Sequence, residues 1–172
     1  MKYGLFYITL VFCLVNNAYA EESDVNILIS GESLEDGNAT SLGMYVGSDY
    51  FYGGLSLNYV KSSIVIQRSN RKTINPVYLF MGIKAPWKVS PYIEAGIDLP
   101  EALIDDLLDN NEDNGGAQAD YYFSAGLIFP VNKTLSISLY AKKYYFKFRD
   151  TIYDPTTKVD QLGYGVGLSI NF

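Results

Sequence analysis

The chain has 172 residues, of which 13 are basic and 19 are acidic, for a formal net charge of −6. This length suits one domain, and the acidic balance excludes the basic footprint of a nucleic-acid-binding protein. The sequence contains no histidine, which excludes Ser-His-Asp and Cys-His nucleophilic arrangements and a histidine-ligated zinc. Its one cysteine, Cys13, excludes an intramolecular disulfide framework.

The first twenty residues have the features of a secretory signal peptide. Lys2 gives a short positive head, residues 4–15 form an apolar core, and Ala18-Tyr19-Ala20 matches an A-x-A cleavage site. The core is shorter than the roughly 20 apolar residues that a membrane-spanning helix needs. We therefore predict that residues 1–20 are a cleaved signal peptide and that residues 21–172 form the mature, exported domain.

The mature region alternates between large apolar residues and small or polar residues, and this period of two predicts β-strands. In the clearest example every second residue from Leu162 to Phe172 is large and apolar, and the residues between them are Gly, Ser or Asn. Turn-forming residues separate one such segment from the next. The eight predicted strands comprise residues 24–31, 38–47, 51–67, 74–84, 91–99, 119–129, 134–148 and 161–172.

The third predicted strand is long and changes phase. Leu57 and Tyr59 lie on one face, but Ile64 and Ile66 are out of phase with them. A β-bulge near Lys61 would restore the alternation, because a bulge adds one residue to one strand of a pair. The alternative is that this segment forms two strands, which would raise the count to nine.

The alternating segments favour a closed barrel in a membrane. After residue 20 no apolar run is long enough for a transmembrane helix, and lipid cannot satisfy the backbone at an open sheet edge. Connections alternate between short and long, as periplasmic turns and outer loops do, so residues 31–37, 68–73, 100–118 and 149–158 are predicted outer loops. Tyr and Trp suit the boundary between lipid and water. The strand-end aromatic residues are Tyr50, Phe51, Tyr52, Trp87, Tyr92, Tyr121, Tyr122 and Phe172.

With its signal peptide and strand rhythm, the chain resembles the small Gram-negative outer-membrane β-barrels of the OmpA/OmpX type. The pattern Tyr164-x-Val166-x-Leu168-x-Ile170-x-Phe172 resembles the terminal signature that the barrel-assembly machinery reads in such proteins. The resemblance implies an all-β, eight-stranded antiparallel up-and-down transmembrane barrel in the cell outer membrane. It also implies outer-membrane lipid, lipopolysaccharide and the assembly machinery as partners, and it identifies no subfamily.

The third predicted outer loop has the pattern of a short amphipathic helix. Asp98 and Glu101 match the spacing of a helix cap, and Pro100 suits the first turn. Apolar residues at 103, 104, 107 and 108 share one face, opposite a face of aspartates. Such a helix would form a lid on the barrel mouth, a partner-binding surface or a divalent-cation site. The alternative is a solvated acidic loop.

The same loop partly resembles a calcium-binding loop. Asn114 stands where that motif needs glycine for a sharp turn, and the twelfth position is not a bidentate glutamate. We therefore predict no metal site and no cofactor. The weak candidate ligands are Asp109, Asn111, Asp113 and Asp120.

Polar residues are also expected inside the barrel. The bore of an eight-stranded barrel is just wide enough for side chains, so buried charges must be paired. Glu94 paired with Lys142 or Lys84 would form a polar plug, whereas an unpaired set would line a narrow ion pore. The predicted interior residues are Lys84, Glu94, Tyr140, Lys142 and Gln161.

The sequence thus predicts a monomeric outer-membrane barrel with a structural or surface-interaction role and no catalysis. One alternative is a narrow pore for ions or small solutes, and a second is a soluble periplasmic ligand-binding barrel. A third is a lipid-modifying outer-membrane enzyme. Small outer-membrane palmitoyltransferases and deacylases resemble the chain in size, but they rely on a histidine that it lacks.

Overall fold

The structure of the protein is a computed structural model that describes residues 24–63, 74–100, 102, 119–148 and 157–172. The predicted signal peptide lies outside these residues. No helix in the described part of the chain is long and apolar enough to cross a membrane. The strands are β1 (Asp24–Leu34), β2 (Gly37–Gly47), β3 (Phe51–Ser62), β4 (Val77–Lys84), β5 (Ser90–Asp98), β6 (Tyr121–Pro130), β7 (Leu135–Phe148) and β8 (Thr157–Asn171).

The eight described strands form one closed antiparallel barrel, as predicted. Each strand pairs with its neighbours in sequence, and β8 pairs with β1 to close the ring. The connections at 48–50, 85–89 and 131–134 lie at one end, which we call the turn end. The opposite end, which we call the loop end, carries the longer connections.

The apolar residues of the alternating pattern face outward, and the core lies in the lumen. Ile29 of β1 stands opposite Leu42 of β2 and Leu168 of β8, and all three side chains are exposed. The residues between them, such as Ser30 and Ser41, are buried inside the barrel. A wall that is apolar outside and packed with polar and aromatic groups inside is suited to lipid as its surroundings.

The prediction of an outer loop at residues 31–37 is wrong. β1 continues to Leu34 and β2 begins at Gly37, so a two-residue turn at Glu35 and Asp36 replaces the loop. The Asp36 carboxylate fixes this turn by accepting hydrogen bonds from the hydroxyls of Ser62, at 2.8 Å, and Ser63, at 3.0 Å. Asp36 and Gly37 are turn-forming residue types that suit a tight turn as well as a longer loop, so the sequence did not distinguish the two.

The bulge predicted near Lys61 is absent from the described part of β3. The strand pairs with β2 residue for residue through Ser62, and the bridge between Val60 and Ile74 keeps the register of β3 with β4. β3 is therefore one strand through Ser62, and residues 64–67 lie outside the described residues.

The predicted loop helix after β5 stays a prediction. The backbone is helical at Leu99, Pro100 and Ala102, but the remainder of that segment lies outside the described residues. Asp98, expected as the helix cap, ends β5, and its carboxylate accepts a hydrogen bond from the backbone N–H of Val77 at 3.2 Å.

Only some of the strand-end aromatic residues lie on the outer wall. Phe51 and Trp87 are exposed, in agreement with a place at the membrane boundary. Tyr52, Tyr92 and Tyr122 instead point into the barrel, so their prediction as boundary residues is wrong. The cause is the period of two, because neighbours such as Phe51 and Tyr52 must point to opposite faces.

Several inward tyrosines pack across inward glycines of the adjacent strand. Tyr52 stands opposite Gly82, and Tyr122 stands opposite Gly96. A Cβ atom added at either glycine would overlap the facing ring. Tyr140 lies over Gly165 in the same way. Glycine thus gives each ring the space to lie flat against the wall, so that several rings fit within one narrow bore.

We predict that Gly96→Val lowers the free energy of unfolding by about 1–3 kcal/mol, because overpacking forces Tyr122 to move. Gly31→Val is the matched control, since an added Cβ at this glycine has no atom within 4 Å. Urea unfolding of the refolded chain in lipid vesicles, followed by the shift between folded and unfolded bands on a gel, measures both. Equal losses in the two variants would show that the Tyr122 contact is not the cause.

Candidate functional site in the barrel interior

Glu32 is the centre of a buried hydrogen-bond network. Its carboxylate accepts hydrogen bonds from the hydroxyls of Tyr144, at 2.5 Å, and Tyr140, at 3.0 Å. The ammonium group of Lys142 lies 3.4 Å from the same carboxylate. The side chain of Glu32 is fully buried and that of Lys142 is 7% exposed. A charge removed from water in this way is stable only with partners, and Glu32 has three.

Lys142 is enclosed by aromatic faces as well as by its ion pair. Its ammonium nitrogen lies 4.0 Å from the ring centre of Tyr122 and 5.1 Å from that of Tyr144. A cation over a ring face is attracted by the negative face of the π system, and the attraction strengthens when water is excluded. These contacts fix the lysine in the middle of the bore.

Glu94 forms a second polar centre, nearer the turn end. It accepts a hydrogen bond from the hydroxyl of Tyr122 at 2.7 Å. Tyr122 therefore connects the two centres, because its hydroxyl binds Glu94 while its ring lies under Lys142. The same region contains Lys84 and Tyr92, which border a small cavity together with Glu94.

Aromatic rings close the bore on both sides of these charges. Toward the loop end Tyr78 and Tyr122 meet edge to face, with ring centres 4.8 Å apart, and Tyr144 stacks on Phe146 at 5.4 Å. All four of these side chains are almost completely buried. Toward the turn end a second group packs ring against ring. Its members are Tyr45, Tyr52, Phe80 and Tyr92.

The inward residues near the turn end border a small cavity. The cavity beside Lys84, Glu94 and Tyr92 has a volume of about 30 Å³, enough for one or two water molecules. A larger concave region of about 1180 Å³ is bordered mainly by outward-facing residues such as Met44 and Met81, and we assign it to the outer wall. The geometry therefore describes a packed interior.

Gln161 is the weak point of this packing. Its side chain is fully buried on β8, and neither polar atom of its amide has a hydrogen-bond partner among the described residues. In the same part of the chain the side-chain oxygen of Asn58 also has none, although its amide nitrogen binds Ser56. A buried polar atom without a partner carries a desolvation cost of about 1–3 kcal/mol. A water molecule in the loop half of the bore would satisfy these atoms.

The structure places all five sequence-predicted interior residues on inward positions but brings them together differently from the expected pairing. Lys142 lies against Glu32, which belongs to the predicted outer loop at residues 31–37. Tyr140 joins this pair, whereas Glu94 binds Tyr122. Extending the alternation of β1 beyond Gly31 would have predicted Glu32 as an inward residue.

The weak metal candidates gain no support from the described residues. Asp109, Asn111 and Asp113 lie outside them. Asp120 is buried, and its backbone oxygen accepts a hydrogen bond from the N–H of Asp98 at 2.7 Å. Within the described part of the chain, no three acidic or cysteine side chains are grouped closely enough to hold a metal ion.

The Glu32–Lys142 pair generates a stability prediction. Lys142→Met leaves the Glu32 carboxylate buried without its cation and should lower the free energy of unfolding by about 3–5 kcal/mol. Replacing both partners, in Glu32→Gln/Lys142→Met, should recover much of the loss, because no charge is then stranded. Urea unfolding in vesicles measures all the variants.

Lys143→Met is the matched control for that prediction. Lys143 is the next residue along β7, but its ion pair with Asp160 is about half exposed, at 45% and 52%. Exposed pairs contribute little, so we expect almost no change in stability. If Lys143→Met and Lys142→Met are equally destabilised, the buried network is not what stabilises the interior.

No family model and no curated protein matches the sequence. Solved structures do match its fold. The N-terminal β-barrel domain of Pseudomonas aeruginosa OprF is 15% identical, with a TM-score of 0.56 over 87% of this chain and 97% of that one. Neisserial surface protein A is 10% identical, with a TM-score of 0.52 over 87% and 96%. A de novo designed transmembrane β-barrel is 13% identical, with a TM-score of 0.52 over 87% and 95%. The chain therefore has the architecture of the small eight-stranded outer-membrane β-barrels, of the OmpA/OmpX type.

Proposed function

We propose that the protein is a structural barrel of the outer membrane, with its loop end outside the cell, an interior closed to flow and no catalytic site. The observation that carries this proposal is the packing of the described part of the bore, where the buried Glu32–Lys142 pair and several tyrosine and phenylalanine rings fill the lumen and one cavity beside Glu94 holds about 30 Å³. A passage for hydrated ions needs a continuous column of water, and among the described residues the packed rings occupy the path that such a column would take.

The membrane location is supported by the outer wall and by the similar folds. The exposed residues of the strands are predominantly large and apolar, as lipid requires. One similar fold is named as a surface protein, and another is a designed transmembrane barrel. By analogy we infer outer-membrane lipid and lipopolysaccharide as the surroundings of the wall, the barrel-assembly machinery as the partner in folding, and the longer connections as the surface-exposed part.

Cysteine labelling on intact cells tests the location and the orientation. The parent chain has one cysteine, Cys13, within the predicted signal peptide, so introduced cysteines can be read individually. Asn75→Cys lies exposed at the loop end, and Lys88→Cys lies exposed at the turn end. We expect a membrane-impermeant maleimide to label Asn75→Cys on whole cells, and Lys88→Cys only after the outer membrane is opened. The reverse pattern would contradict the orientation, and labelling of neither variant in a membrane fraction would contradict surface exposure.

A narrow pore is the second candidate function, and Gln161 is the observation that favours it. Water that entered to satisfy this buried amide would begin to hydrate the loop half of the bore. Such hydration would have to displace the rings of Tyr122 and Tyr144 to connect the two ends.

Planar-bilayer recordings decide between the two functions. We expect no resolved channel events from the parent chain, and conductance in Tyr122→Ala, which removes the ring between Glu94 and Lys142. Tyr121→Ala is the matched control, because Tyr121 is the preceding residue but faces outward, and it should remain silent. Steady channel events from the parent chain would reject the closed interior in favour of the pore.

A further inference from the structure

The outer wall carries one cluster that the packed interior does not explain. At the loop end of β6, β7 and β8, aromatic and charged side chains share the outward face just above the apolar wall. Most of the outer wall lacks charge, so a charged group at this height needs a partner in or near the lipid headgroups. We call this cluster the rim patch; it comprises Tyr121, Phe123, Lys143, Tyr145, Lys158 and Asp160.

Three rings of the rim patch pack into one platform. Tyr121 and Tyr145 are stacked, with ring centres 4.7 Å apart and an interplanar angle of 14°. Phe123 meets both edge to face, at 5.9 Å from Tyr121 and 6.3 Å from Tyr145. Rings that support one another in this way present a preorganised surface, which lowers the entropy cost of binding.

The charges around the platform are mainly positive, although the whole chain is acidic. Lys143 lies 5.1 Å from the ring centre of Tyr145 and pairs with Asp160 at 3.3 Å. Lys158 is exposed on β8, on the same outward face as Asp160 because the two residues are two positions apart in the strand. Two lysines against one aspartate therefore favour an anion at this rim.

Small residues continue the rim patch down the wall. Ala125 of β6 stands directly opposite Ala141 of β7, and Ala125 is also opposite Ile93 of β5. Two alanines side by side leave a shallow lane between the larger neighbours Phe123 and Leu127. This lane ends at the cationic and aromatic platform. The two together are complementary to a lipid, with an acyl chain along the lane and an anionic headgroup at the platform.

Asp160 distinguishes one class of lipid from another. A carboxylate next to Lys143 repels a bare phosphate, but it accepts hydrogen bonds from sugar hydroxyls. The apolar face of a sugar ring also stacks well on exposed aromatic rings such as Phe123. The rim patch thus offers a cation for phosphate, a carboxylate for hydroxyls and a ring platform for a sugar face. This combination suits a phosphorylated sugar better than a simple phosphodiester.

We propose that the rim patch binds a phosphorylated glycolipid of the outer leaflet, such as the lipid A part of lipopolysaccharide. The lysines bind its phosphate, Asp160 and the platform contact its sugar, and an acyl chain lies along the lane at Ala125 and Ala141. The proposal deepens the proposed function and rests on its orientation, which places the loop end at the outer leaflet.

The test uses the refolded chain in detergent micelles, titrated with lipid A, dephosphorylated lipid A or phosphatidylglycerol and followed by native mass spectrometry. We expect Lys143→Gln/Lys158→Gln to weaken lipid A binding by about tenfold or more, because two lysines near the phosphate are lost. The matched control is Lys88→Gln/Lys133→Gln, which removes the same charge from exposed positions at the turn end and should bind lipid A as the parent does. A normal gel shift on heating confirms that every variant is folded.

Asp160→Asn separates a sugar site from simple charge attraction. We expect this variant to bind lipid A more weakly, because the amide keeps only one acceptor oxygen and its hydrogen bond to a sugar hydroxyl lacks the assistance of charge. We expect it to bind phosphatidylglycerol more strongly, because the repulsive charge is lost. Tighter binding of lipid A would overturn the glycolipid assignment. Equal losses in the two lysine variants, or unchanged binding of dephosphorylated lipid A, would overturn the site.

The lipid site at the rim patch and the proposed orientation in the membrane are tested by independent measurements. Micelle titration does not depend on which end of the barrel faces outward, whereas labelling of Asn75→Cys does not depend on any lipid. Loss of lipid A binding with the expected labelling would therefore reject the rim patch alone.

Discussion

Closure of the ring between β1 and β8 is the constraint on which the rest of the structure depends. Lipid offers no hydrogen bonds to the backbone, so every strand needs two partners, and pairs such as Ile29 with Leu168 provide the last of them. Closing as few as eight strands makes the bore narrow, and it must be filled by side chains. Rings that lie flat over glycines, such as Tyr122 over Gly96, are how this chain fills it.

The narrow bore also explains why its charges are arranged as a network. A carboxylate such as Glu32 cannot be solvated there, so two tyrosine hydroxyls and Lys142 replace water. These partners come from β7, on the far side of β8 from β1, and thus connect strands that are not adjacent. The network therefore holds the wall together across the lumen as well as along its backbone ladder. Among the described residues it does not satisfy every buried polar atom, since the amide of Gln161 and the side-chain oxygen of Asn58 have no partner.

The sequence predicted the strands well because each outward face is a simple repeat of large apolar residues. It predicted which polar residues lie inside for the same reason, as in Glu94 and Lys142. It could not predict which of these residues contact each other, because that depends on the stagger of distant strands. Glu32 was not predicted as an inward residue because the predicted β1 ended at residue 31, three residues before the observed end. Tyr52 and Tyr122 were wrongly predicted to lie at the membrane boundary, because the prediction relied on their position at strand ends and not on the alternation of the strand, which turns them inward. Most of the predicted loop helix and the candidate calcium ligands other than Asp120 lie outside the described residues.

The two faces of β7 show how one strand can serve two surroundings. Its inward residues Lys142 and Tyr144 satisfy Glu32 in a place without water. The residues next to them, Lys143 and Tyr145, face outward with a half-exposed ion pair that contributes little to stability. Lys143 lies beside a rigid stack of rings at the rim of an apolar wall. Because its charge contributes little to stability, it is available to bind a ligand. This contrast within one strand is the physical reason to look for function on the outer wall of the barrel, since the lumen is already filled by its own side chains.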